Sequence, residues 1–195
     1  MQIFFSTIKP FFFICLFTTC AFLVGCDDDE VTPERDTSGT ITGLVTSSSQ
    51  FSLLETAIIN VSTNTTTDLA TLFAAEATGN LQYTVFAPND AAFTAAGFDA
   101  AFLSNEANAN AILDILLYHV INGEVKAAAV PAGPNASQAT LSAGNNIYLT
   151  TNSQGVFVNS IKVTTADIDA DNGVIHEIGT VLTVPGDNIV GLAKT

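Results

Sequence analysis

Helices first and strands after is the order the apolar pattern spells along this chain, and it predicts an α+β domain rather than an alternating parallel sheet. Two observations carry that prediction. From Thr40 to Tyr118 apolar residues recur at helical spacing, interrupted by one strand-like stretch at Gln82–Ala87. From Ala139 to Ile178 the runs become short, β-branched and separated by turn residues.

Taken in order, Thr40–Ser47 carries Ile41, Leu44 and Val45 at helical spacing, and Gln50–Val61 repeats the pattern with Phe51, Leu54, Ala57, Ile58 and Val61. Ser49 or Ser52 is the expected cap of that second helix. Val61–Thr67 lacks apolar periodicity and is expected as a loop. Asp68 should cap a helix bearing Leu69, Leu72 and Phe73, closed by Gly79-Asn80. Gln82–Ala87 then alternates, placing Tyr83, Val85 and Ala87 on one side of a strand. Pro88 ends the strand, Asn89 is a good N-cap, Asp90 suits the positive first turn, and Phe93 returns to the core. Gly97 breaks this helix. Phe98, Phe102 and Leu103 mark another, and Asn108–Tyr118 is the most regular one, with Ile112, Ile115 and Leu116 inward. Asn122-Gly123 is a strong turn signal, and Pro131–Gln138 reads as a loop. The expected strands are Ala139–Leu141, Ile147–Thr151, Val156–Val158, Ile161–Ile168 and Gly173–Ile178, with turns at Asn145-Asn146 and Ser153-Gln154-Gly155.

The domain is preceded by a different kind of sequence. Lys9 and the apolar run Phe11–Val24 have the length of a secretory h-region and fall short of a ~30 Å hydrocarbon core. The run ends in Leu23-Val24-Gly25-Cys26, which resembles a bacterial lipobox. Residues 1–25 are thus expected to be a lipoprotein signal peptide, with lipid attached at Cys26. Of the three cysteines, Cys15 and Cys20 lie in the removed segment, so the mature domain has no disulfide. Residues 26–39 form an acidic flexible tether. Its start, Asp27-Asp28-Asp29-Glu30, resembles the surface-export signal of Bacteroidetes-type lipoproteins. An outer-membrane lipoprotein exposed at the cell surface is therefore expected, the alternative being the periplasmic face.

The formal charge of −14 excludes nucleic acid as a partner by counterion release and argues against adsorption to anionic headgroups. Membrane attachment is expected through the lipid at Cys26 alone.

Chemistry-bearing motifs are sparse. His119 and His176, the only two histidines, each sit in an apolar strand-like run. No Gly-x-Ser-x-Gly accompanies them, so no catalytic residue and no enzyme is expected. Each imidazole is expected to satisfy a partner inside the core, with Asp90 a candidate partner for one. Asp167, Asp169 and Asp171 have EF-hand spacing, but Asn172 stands where glycine is needed and Ile178 where glutamate is needed. A solvated acidic turn is expected, with no metal and no cofactor.

Three ordered stretches carry a resemblance. Thr84-Val85-Phe86-Ala87-Pro88-Asn89-Asp90 resembles the first signature of the fasciclin domain family. Tyr118-His119-Val120-Ile121 resembles its Tyr-His pair, and Asn172-Gly173-Val174-Ile175-His176-Glu177-Ile178 its C-terminal signature. The resemblance covers residues 40–185 and departs mainly at Gly179, where an Asp is common. It implies a β-sandwich or wedge of short strands with helices packed along one edge, and a non-enzymatic adhesion or extracellular-matrix interaction module. In animal fasciclin domains an Asp-Ile pair and the Tyr-His region are implicated in integrin adhesion, which marks Tyr118, His119, Asp167 and Ile168 as a candidate adhesion surface. The expected partner is a surface or matrix macromolecule, protein or glycan. The alternative function is a carbohydrate- or small-molecule-binding lipoprotein of a surface uptake system. It is weakened by the absence of Trp and by seven of the fourteen Phe lying before Cys26. Finally, Asn188–Thr195 resembles Thr40–Ser47, so residues 186–195 are expected to begin a second fasciclin domain.

Overall fold

The computed structural model describes residues 39–75, 82–133 and 135–184. The signal segment, most of the tether, the Gly79-Asn80 closure and the tail repeat lie outside the described residues.

The architecture is α+β. Helices α1 (Ile41–Ser47), α2 (Ser52–Asn64) and α3 (Leu69–Ala74) precede strand β1 (Tyr83–Pro88). Then come α4 (Asp90–Ala95), α5 (Ala100–Ser104), a 3-10 turn at Glu106–Asn108, and α6 (Ala109–Tyr118). The strands β2 (Val120–Asn122), β3 (Ala136–Ala139), β4 (Asn146–Asn152), β5 (Gly155–Val158), β6 (Ile161–Ala170) and β7 (Gly173–Ile178) complete the domain, with a second 3-10 turn, Ala127–Ala129, after β2. They form one seven-stranded sheet ordered β2-β1-β7-β6-β5-β4-β3. All neighbours are antiparallel except β1 and β7, which pair in parallel from Tyr83↔Gly173 to Pro88↔Ile178. The two end strands nearly meet: Ile121 bridges Thr140, and Leu141 N donates to Val120 O at 2.8 Å. The sheet therefore curls into a near-closed wedge.

Period-two alternation divides the interior into two cores. On one side of β1, Tyr83, Val85 and Ala87 pack with Ile41, Leu54, Phe73, Phe93 and Ile112 from the helices. On the other, Phe86 joins Ile121, Ile147, Leu149, Val158 and Ile178 inside the curled sheet. All six residues of β1 are buried, so this strand is the wall shared by both cores.

Three local expectations need correction. The second helix does not stop at Val61 but continues to Asn64. Val61 is fully buried, and the polar residues beyond it bond back along the helix, Thr63 Oγ1 to Ile59 O at 2.8 Å and Thr65 Oγ1 to Val61 O at 2.8 Å. Neither Ser49 nor Ser52 caps that helix; the capping acceptor is Asp90, from another element. The third strand lies at Ala136–Ala139, within the expected loop, because pairing with Leu149 through Asn146 fixes its register. Thr140 and Leu141 serve the closure onto β2 instead.

Candidate functional site

The corner after β1 is built from two consecutive polar residues that serve different helices. Asn89 Oδ1 accepts from Ala92 N at 2.9 Å and caps α4, while its amide donates to Glu177 Oε1 at 2.9 Å. Asp90 turns away and accepts from Leu53 N at 2.8 Å and from the Ser52 hydroxyl, capping α2 from outside that helix. Asp90 thus partners a helix start rather than a histidine. The carboxylate complements the positive end of α2, where the backbone N–H of Leu53 would otherwise lack an acceptor.

Asn172-Gly173 is the second knot. Asn172, 1% exposed, accepts from Ile41 N at 2.9 Å and donates to Phe73 O at 2.7 Å and Ala75 O at 2.9 Å. One amide therefore ties the start of α1 to the end of α3. Gly173 follows at φ 150°, and a Cβ there would lie 1.9 Å from Tyr83 O. Only glycine lets β7 approach β1 this closely.

Both histidines are structural fasteners. His119, 2% exposed, donates from Nδ1 to Ile115 O at 2.7 Å and accepts at Nε2 from Leu182 N at 2.8 Å. Burial pushes its pKa down to about 4, against the opposing pull of the Ile115 carbonyl. His176 stacks on Phe86 at 5.4 Å, donates from Nε2 to Val125 O at 2.8 Å and accepts at Nδ1 from Asp167 N at 3.2 Å. Each ring is thus assigned one tautomer by backbone partners, and among the described residues neither hydrogen-bonds a hydroxyl or thiol.

The four residues of the expected adhesion surface do not share one. Tyr118 is 1% exposed and His119 lies in the core, so neither side chain is presented to a partner in the folded domain. Asp167 is exposed and Ile168 half-buried against the helical core. Asp167 sits at φ 57° on a bulge of β6, between the pairings Thr165↔Glu177 and Ile168↔Ile175, and its Oδ1 accepts from Ala127 N at 2.8 Å. Beside it Lys126 reaches Asp169 at 3.0 Å and Glu124 at 3.2 Å, and these bonds, Asp169 first, raise the lysine pKa. Asp167 and Asp169 are therefore strand residues, each with its own partner. No group of His, Cys, Asp or Glu among the described residues is placed to hold a metal ion.

A different concavity opens at the other end of the sheet. Tyr118, Asn135, Asn146, Tyr148, Asn159, Ser160 and Thr183 line an open groove of about 360 Å³. Tyr118 OH donates to Asn146 O at 3.1 Å and accepts from Asn159 Nδ2 at 3.0 Å, while Asn159 Oδ1 accepts from Tyr148 N at 2.9 Å. The sequence held one signal for this groove. Ile147 and Leu149 face the core, so Tyr148 between them must face out.

A curled seven-stranded sheet with helices on one flank, pinned by an Asn-Asp corner and an Asn-Gly knot, defines an α+β wedge domain. The Fasciclin domain profile matches residues 50–185, and the chain belongs to the fasciclin domain family. Protein sll1483 of the cyanobacterium Synechocystis is 41% identical over 105 residues, covering 53% of this chain and 56% of that protein. The FAS1 domain pair of the insect cell adhesion molecule Fasciclin I shares the fold at a TM-score of 0.52 and 20% identity, covering 73% of this chain and 49% of that one. The chain thus spans about half the length of each of these relatives.

Proposed function

We propose that the protein is a non-enzymatic adhesion module held at the cell surface by a lipid on Cys26, where it binds a surface or matrix macromolecule. The observation that carries the reading is the state of the histidines. In a domain of adhesion-type family, both general-base candidates are locked into the backbone by their own ring nitrogens. What such a surface offers is binding rather than proton transfer. The lipobox Leu23-Val24-Gly25-Cys26 and the acidic run after it support the anchor and its outward placement. The Asp167 edge is an exposed, bulged strand and remains a contact surface in this reading, without Tyr118 and His119.

The test is binding by the full-length lipidated protein in vesicles to matrix proteins and glycans, set against soluble metabolites. Saturable binding to a macromolecule without turnover is expected. Tight binding of a metabolite, or a hydrolytic activity abolished by His119→Ala, would overturn it. For the Asp167 edge, Asp167→Ala should weaken binding more than it lowers the melting temperature; equal loss of both assigns Asp167 to the fold alone.

A further inference from the structure

Tyr148 is one of only two large apolar side chains exposed among the described residues, at 48%, and it stands beside the groove at the β5–β6 end of the sheet. Groove and ring together are unlike the rest of this surface. The chain carries 19 Asp and Glu, yet among the described residues no charged side chain lines these 360 Å³. The lining is amide and hydroxyl: Asn135, Asn146 and Asn159, with Ser160, Thr183 and Tyr148, over the buried Tyr118. Such a volume falls within the usual range of small-molecule sites.

The groove is rigid before any ligand arrives. Asn159 is held on three sides, through its own N–H to Tyr148 O at 2.9 Å, its Oδ1 to Tyr148 N and its amide to Tyr118 OH. Preorganised polar groups of this kind lose little freedom on binding. Asn159 and Ser160 form the two-residue turn between the paired Val158 and Ile161, at φ 47° and 69°. Asparagine suits the first position of such a turn, but glycine is the default at the second. Ser160 is therefore a poorer turn former than the position invites. What it adds is a hydroxyl at the groove.

We propose that this groove binds a neutral saccharide, the hydroxyls pairing with the amides and hydroxyls of Asn159, Asn146 and Ser160 while an apolar sugar face lies on Tyr148. Among the described residues the groove offers an anion no cation, against a net charge of −14, and offers a cation no carboxylate. An uncharged polyol with one apolar face fits both features. The inference rests on the adhesion reading and names the chemistry such a module would grip.

The experiment titrates the full-length protein with cellotetraose, maltotetraose and a mannan oligosaccharide, with a uronic-acid oligosaccharide and an uncharged peptide as controls. Saturable binding of at least one neutral sugar is expected, and Tyr148→Ala should weaken it about tenfold or more. Ser160→Gly should weaken it roughly threefold while the melting temperature holds or rises, since glycine relieves the turn. Absence of saturation with every neutral sugar, preference for the uronic acid or the peptide, or unchanged binding in both variants overturns the proposal. If sugars fail while a matrix protein still binds, the groove falls and the adhesion reading stands. If sugars bind but no surface attachment depends on the protein, the adhesion reading falls alone.

Discussion

Lowering the pH from 7 toward 5 should loosen this domain through His119. The folded imidazole is buried, and its Nε2 lone pair is taken by Leu182 N–H. Protonation would set two N–H groups against each other and bury a charge. Folding lowers this pKa from 6.5 to about 4, so between those values the unfolded chain binds a proton that the native one refuses. Stability is then fully present above about pH 6.5 and falls as pH drops toward 4. Over the whole window the shift corresponds to about 3 kcal/mol, of which about 2 kcal/mol is lost by pH 5. The assay is urea unfolding at pH 7 and pH 5, in the wild type and in His119→Asn. The variant should be less stable at pH 7, because Leu182 N loses its acceptor. Its loss of stability between pH 7 and 5 should nevertheless be smaller than the wild type's by about 2 kcal/mol. Parallel losses in the two proteins would show that His119 does not resist protonation and refute the reasoning.

The remaining predictions concern the knots, the core and the anchor. Asn172→Ala strands Ile41 N and the carbonyls of Phe73 and Ala75, and should cost at least about 3 kcal/mol by chemical denaturation. Gly173→Ala drives a Cβ into Tyr83 O and should prevent β1–β7 pairing, read as loss of the cooperative transition. Phe86→Ala removes a ring that is 1% exposed and stacked on His176, and should cost about 3–5 kcal/mol; a midpoint that barely moves would contradict the two-core architecture. Cys26→Ala should leave an unprocessed or mislocalised precursor, whereas a detergent-phase product of mature mass would defeat the lipid assignment.

What was legible in the sequence was local. Asn89 capping α4, Asp68 capping α3 and the placing of Tyr83, Val85 and Ala87 on one side of β1 all depend on neighbours within a few residues, and each stands as read. What escaped was set by partners far along the chain. Asp90 looks like a first-turn residue of its own helix, yet it caps a helix that starts at Ser52, because the β1 corner brings the two together. Asn172 looks like half of a turn, yet it reaches Ile41 and Phe73. The end of α2 ran past its apolar pattern because polar side chains can bond back to the helix they belong to. His119 was expected inside the core and lies there, whereas the burial of Tyr118 was not readable. Their exposure depends on Asn159, Leu182 and the closure of the sheet, none of which adjoins them in sequence.

The central claim, that this fasciclin domain works by adhesion from a lipid anchor, is tested most directly by attachment of cells carrying the full-length protein. Cells expressing the wild type should attach to a glycan- or matrix-coated surface more than cells lacking the gene. The difference should vanish with Cys26→Ala and be competed away by added soluble protein. Equal attachment of wild-type, deleted and Cys26→Ala cells would contradict it.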